Sequence, residues 1–218
     1  MTALYRYLMT SVLLSQRYLP PTLIFLAAMA VGTTSDNGPL QSSYAFCVLA
    51  MLVCTTWLTV SIVNHEDHTQ RQITVVMMGS SLRVLAVTVA VVVTWCLPLL
   101  VIGLVYPIVT GKHEITPGDL AVGAAAQLGA ALVGMAIGLL CSRLVIRRIG
   151  IAMLTAAAAI LVVLLLRWVS PIRQIMTVLS NDKPAGTNAG PLTLLAVLSG
   201  AILLAAVVVT GSIADRKE

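Results

Sequence analysis

His65-Glu66-Asp67-His68 is the densest run of side chains able to bind a metal or move a proton in this 218-residue sequence. On a helix the two histidines, at i and i+3, converge, with two carboxylates beside them. A zinc-protease helix requires His-Glu-x-x-His, with its second histidine one residue further on. It also needs a third ligand, and the sequence identifies none. The expectation is therefore a polar turn facing water or a partner, with no metal bound.

Elsewhere the chemistry is sparse. The apolar stretches carry hydroxyls at Thr55, Thr56, Ser61 and Thr94 and one amide at Gln127, while every histidine and carboxylate falls in or beside a polar break. No nucleophile is matched with a base and no acids are paired, so a catalytic centre inside the membrane is not expected, and these groups suit helix packing. The carboxylates or histidines that ion-coupled transport usually places within the membrane are also lacking. Arg167, near a helix end, reads as an anchor whose long side chain reaches water. Gly111-Lys112-His113 is not a nucleotide loop, because the earlier glycine is missing and His stands where Ser or Thr is needed. No catalytic residue, cofactor or metal is expected in the chain, and any energy source for transport must lie outside it. Cys47 and Cys54, two helical turns apart, are held about 10 Å from one another, beyond bridging distance. With Cys96 and Cys141 they read as small apolar side chains.

The elements that must position these residues are long and apolar. Hydrophobic residues make up 59% of the chain and charged residues 10%, far from the soluble norm of roughly 45–50% and about 25%. Runs near 19 to 34, 44 to 63, 84 to 109, 118 to 140, 150 to 169 and 190 to 211 each approach the roughly 20 residues that a helix needs to cross hydrocarbon. Backbone in lipid must satisfy its own hydrogen bonds, so the expected fold is an all-α integral membrane bundle of six spans. The breaks are too short to fold a soluble domain. The formal charge of +5 is a topology signal and not a nucleic-acid footprint. With the amino terminus cytoplasmic, Arg6, Arg17, Arg71, Arg83, Arg143, Arg147, Arg148, Arg216 and Lys217 lie inside, and Lys112, Arg167, Arg173 and Lys183 lie outside. That asymmetry favours both termini in the cytoplasm. Ala28-Met29-Ala30 resembles a signal-peptidase site, but an uncleaved first span matches the other five in length.

The breaks carry further detail. Residues 3 to 18 place Arg6, Thr10 and Arg17 on one face and read as an interfacial helix, ended at Leu19-Pro20-Pro21. Residues 64 to 80 predict a short cytoplasmic helix, with Ile73, Val76 and Met77 on one face and Gly79-Ser80-Ser81 as its stop. Pro98 and Pro107 predict a kink in the third span, and Thr116-Pro117 with Asp119 opens the fourth. Ala126, Ala130, Gly134 and Gly138 recur every four residues, a small-residue seam that suits close packing within one bundle. From Ser170-Pro171 to residue 180, Ile172, Ile175, Met176 and Leu179 follow helical spacing and predict a short amphipathic helix at, or dipping into, the outer face. Asn181 to Gly186 ends it. No tandem repeat is visible.

The amphipathic start through Ser15-Gln16-Arg17-Tyr18-Leu19-Pro20-Pro21, the passage from Trp57-Leu58-Thr59-Val60 to His65-Glu66-Asp67-His68-Thr69-Gln70-Arg71-Gln72, and the Ser170-Pro171 helix together resemble the small bacterial permease subunits of type-2 ABC exporters. The resemblance covers nearly the whole chain. It implies that residues 64 to 80 are a coupling helix docking on a separate ATP-binding subunit, with Glu66, Asp67 and Arg71 as polar contacts and Ile73 and Met77 seating it. It further implies a second permease chain, ATP and magnesium on the partner ATPase, a hydrophobic or amphipathic substrate and the bacterial plasma membrane. Composition alone also suits a secondary transporter, a channel or a membrane scaffold.

Overall fold

A computed structural model describes residues 1–33, 40–66, 68–110, 117–143, 145, 148–165, 171–180 and 185–217. Nine helices and no strand occur among them: α1 (Thr2–Ser15), α2 (Leu19–Thr33), α3 (Leu40–Val63), α4 (His68–Met78), α5 (Ser81–Thr110), α6 (Pro117–Leu140), α7 (Ile149–Leu165), α8 (Pro171–Ser180) and α9 (Ala185–Lys217). Asp67, Gly111-Lys112-His113, Arg147, Arg167, Ser170 and Asn181 to Pro184 lie outside the described residues.

Apolar composition produces the long helices, and their lengths decide which of them can cross a bilayer. Ser43–Val63, Ser81–Thr110, Gly118–Leu140 and Leu192–Ala214 are each long and apolar enough to do so. They contain most of the second, third, fourth and sixth expected runs. The first run forms α2, whose 15 residues are too few to cross alone. Gln16 adopts a left-handed φ of 53° that ends α1, and the chain turns through 69° into α2. Taken as one broken span, α1 and α2 bring the number of candidate crossings to five. The fifth run is α7, whose 17 residues reach only about 25 Å.

Proline positions explain the local starts. Pro20 and Pro21 sit in the first turn of α2 and Pro117 opens α6, where a missing N–H costs no helical bond. Pro98 and Pro107 lie inside α5, each removing one donor from its ladder.

Helices α3 and α6 form the centre, with α9 packed along the other side of α6 and α5 against all three. Close approach follows from the small residues of α6. A Cβ added at Gly134 would stand 2.8 Å from the Leu52 carbonyl oxygen, and one at Gly138 would stand 2.9 Å from that of Thr56. The facing hydroxyls of Thr55, Thr56 and Thr59 donate back to the carbonyls of Met51, Leu52 and Thr55 at 2.7–2.8 Å, satisfying themselves within α3. Helix α8 turns its apolar side into the bundle and leaves Gln174 and Thr177 exposed. Ile172, Ile175 and Leu179 are fully packed among α3, α6, α7 and α9, and Ile175 reaches Gly129, halfway along α6.

Candidate functional site, the joint around α4

The turn between α3 and α4 gathers contacts from three other parts of the chain. Asn64, the first residue past α3, is buried, and its Oδ1 accepts the Arg143 N–H at 2.8 Å, tying this end of α3 to the turn after α6. His65 shares a 2.6 Å hydrogen bond between its Nε2 and the Ser11 hydroxyl of α1, 54 residues away in sequence. Burial, with Arg17 nearby, lowers the His65 pKa, because both disfavour a charged ring. Burial raises the pKa of Glu66, and Arg71 opposes that shift by favouring the carboxylate. Glu66 Oε1 and His65 Nδ1 are buried without a hydrogen-bond partner.

Helix α4 divides its residues between two directions. Arg71 is only 7% exposed and lies on the inner side, within electrostatic reach of Glu66. Ile73, Val76 and Met77 are 61%, 81% and 83% exposed and project outward. Gly79, at φ +69°, takes the left-handed position that ends the helix, and its N–H returns to the Val75 carbonyl at 2.8 Å. Of the sequence-predicted contacts, Glu66 and Arg71 come together on the inner side, Ile73 and Met77 share the outer one, and Asp67 lies outside the description. The expected helix over 64 to 80 begins at His68, with residues 64 to 66 forming the joint that precedes it.

The amino-terminal helix is pinned as well. Tyr5 and Thr94 share a 2.8 Å hydroxyl hydrogen bond, and the Tyr18 ring stacks on Trp95 at 4.2 Å, so the first turn of α1 and the α1–α2 bend each rest on α5. Ser11, Asn64, Tyr18 and Trp95 are the site residues that sequence reasoning did not single out. Ser11, Tyr18 and Asn64 lie in or beside polar breaks, which was their signal, whereas Trp95 lies inside the third apolar run and carried none.

The seam residues Ala126 and Ala130 are fully buried, and Gly134 and Gly138 abut the backbone of α3. Gln127, on the same helix, has both amide atoms buried without a partner, and its side chain packs on Gly103 of α5.

Several helices of spanning length, with no strand among the described residues, make this a helical, multi-pass membrane protein. Comparison with protein-family models, with curated proteins and with solved structures finds no match to this chain.

Proposed function

We propose that the chain is the transmembrane permease subunit of an ATP-driven type-2 ABC exporter, with α4 as the handle grasped by a separate ATP-binding subunit. The observation that carries this reading is the direction of α4. Three large apolar side chains, Ile73, Val76 and Met77, point away from the bundle, while Arg71 points into it. A helix facing only water favours the reverse arrangement, so the outward face asks for an apolar partner surface. The buried joint behind it supports a coupling role. A push on α4 reaches α1 through His65 and Ser11, and the turn after α6 through Asn64 and Arg143.

In this reading Ile73, Val76 and Met77 seat the partner, whereas Glu66 and Arg71 brace the handle from within. Six spans are counted by taking α2 and α7 as the short first and fifth crossings. Both termini then lie in the cytoplasm of a bacterial plasma membrane. ATP and magnesium sit on the ATPase, and a hydrophobic or amphipathic substrate passes between this chain and a second permease. The chain itself is not an enzyme.

The test is coexpression with an ABC ATP-binding subunit encoded in the neighbourhood of its gene. Wild-type chain retains that ATPase through purification and stimulates ATP hydrolysis, whereas Val76→Asp and Met77→Asp lose both and elute unchanged in detergent. Absence of a copurifying ATPase, or full association of both charged variants, overturns the reading. Transport by the isolated chain under an ion gradient would instead identify a secondary transporter.

A further inference from the structure

Between α1 and α5 lies an open crevice of about 310 Å³, lined by Met1, Thr2, Tyr5, Ala86, Val87 and Ala90. Its walls are almost wholly apolar, and the Tyr5–Thr94 hydrogen bond closes it at one end. The other end opens toward charge. Arg83 precedes Ala86 and Val87 by three and four residues, which puts it on the same face of α5 as the crevice wall, one turn nearer the start of the helix. Helical side chains lean toward the amino terminus, so its guanidinium lies beyond the mouth of the crevice. It is exposed, and Nη1 donates only a long 3.4 Å bond to the Met78 carbonyl. Arg6, also exposed, stands one turn after Thr2 on the flank of α1. Among the described residues no carboxylate pairs with Arg6 or Arg83.

An apolar slot with one exposed guanidinium beyond its mouth and a second on its flank has the chemistry of one lipid class. We propose that the crevice holds an acyl chain of an anionic phospholipid, with the phosphate at Arg83 and Arg6. Arginine suits this role because its fork of N–H donors matches phosphate oxygens, and the apolar walls fit a chain and not a free anion. The site staples α1 to α5 in the same region as the Tyr5 and Tyr18 contacts. It rests on the proposed position of α1 at a membrane surface, but not on the presence of an ATPase or on which leaflet α1 faces.

Native mass spectrometry of the full chain in detergent, titrated with phosphatidylglycerol or phosphatidylcholine, tests the assignment without reference to membrane sidedness. Each surface arginine contributes about fivefold in affinity for an anionic lipid, so wild-type protein retains phosphatidylglycerol at least about fivefold better. Arg6→Gln with Arg83→Gln abolishes the preference. Arg148→Gln, an exposed charge on the turn after α6, leaves it intact. Ala90→Phe fills the crevice and lowers retention of both lipids at an unchanged melting temperature. Equal retention of the two lipids by the wild type, an unaltered preference in the double arginine variant, an equal loss in Arg148→Gln, or unchanged retention in Ala90→Phe overturns the proposal.

Discussion

Replacing Gly138 with alanine puts one methyl group into the close contact between α3 and α6. The new Cβ would lie 2.6 Å from the Thr59 Cβ and 2.9 Å from the Thr56 carbonyl oxygen. Neither atom is the free end of a flexible side chain, so α3 and α6 must part by roughly 0.5–1 Å to restore ordinary contact. A gap of about that width forfeits a quarter to a half of each dispersion contact it opens. Overpacking of this kind costs about 1–3 kcal/mol, offset by the roughly 0.5–1 kcal/mol that alanine gains over glycine inside a helix. A net loss centred on about 1 kcal/mol follows, worth roughly 2–4 °C in melting temperature at this chain length. Gly134→Ala meets the Leu52 carbonyl at 2.8 Å and should cost a similar amount. Together the two should cost less than their sum, since one separation of the helices relieves both. Gly200→Ala is the control, because its Cβ would find only the Leu132 Cδ1 at 4.0 Å, and it should be neutral or slightly stabilising. Melting in detergent, followed by tryptophan fluorescence, reads all four proteins. A Gly138→Ala variant as stable as Gly200→Ala would refute the close-contact argument.

Four further expectations concern polar and aromatic contacts. Gln127→Leu, which removes an amide with no partner, should hold or raise stability by about 1 kcal/mol, and a loss of that size in thermal melting would reveal a partner for the amide. The His65 pKa is held below its ordinary 6.5, so its contribution to stability is present above pH 6.5 and fades as pH falls through the lower folded value. The melting difference between wild type and His65→Gln should therefore shrink on acidification, and parallel curves would count against it. Glu66 works in the opposite sense, since its raised pKa contributes stability below its ordinary 4.5 that is lost as pH rises through the folded value. Glu66→Gln should accordingly flatten that part of the profile. Finally, a double-mutant cycle of Tyr18→Leu and Trp95→Leu should return a coupling of about 0.5–1.5 kcal/mol from the stacked rings, and additivity would exclude it.

Much of the architecture was legible because hydrophobic length and helix punctuation are local properties. Pro20-Pro21 starts α2, Gly79 ends α4, and Ile172, Ile175 and Leu179 share one face of α8, each as their spacing predicts. Direction was not legible. Periodicity assigns Ile73, Val76 and Met77 to one side of α4 but cannot say that this side faces away from the bundle while Arg71 turns inward. The amphipathic pattern of α8 likewise leaves its depth open, and only packing against Gly129 fixes it midway along α6. The joint at Asn64 and His65 depends on partners 79 and 54 residues away, a separation that no local pattern records. The break ahead of the first apolar run was legible at Leu19-Pro20-Pro21, but its 69° angle was not, because the left-handed Gln16 lacks the glycine that usually marks such a turn.

The threonines of α3 have a consequence for movement. Because Thr55, Thr56 and Thr59 spend their hydroxyls on carbonyls one turn back in their own helix, those groups stay satisfied wherever α6 stands. Lateral separation or a change of register between the two helices leaves none of the three stranded in hydrocarbon, where an orphaned polar group is expensive. Shape alone holds that part of the contact. It can therefore open and re-form against steric resistance only, as a bearing surface does.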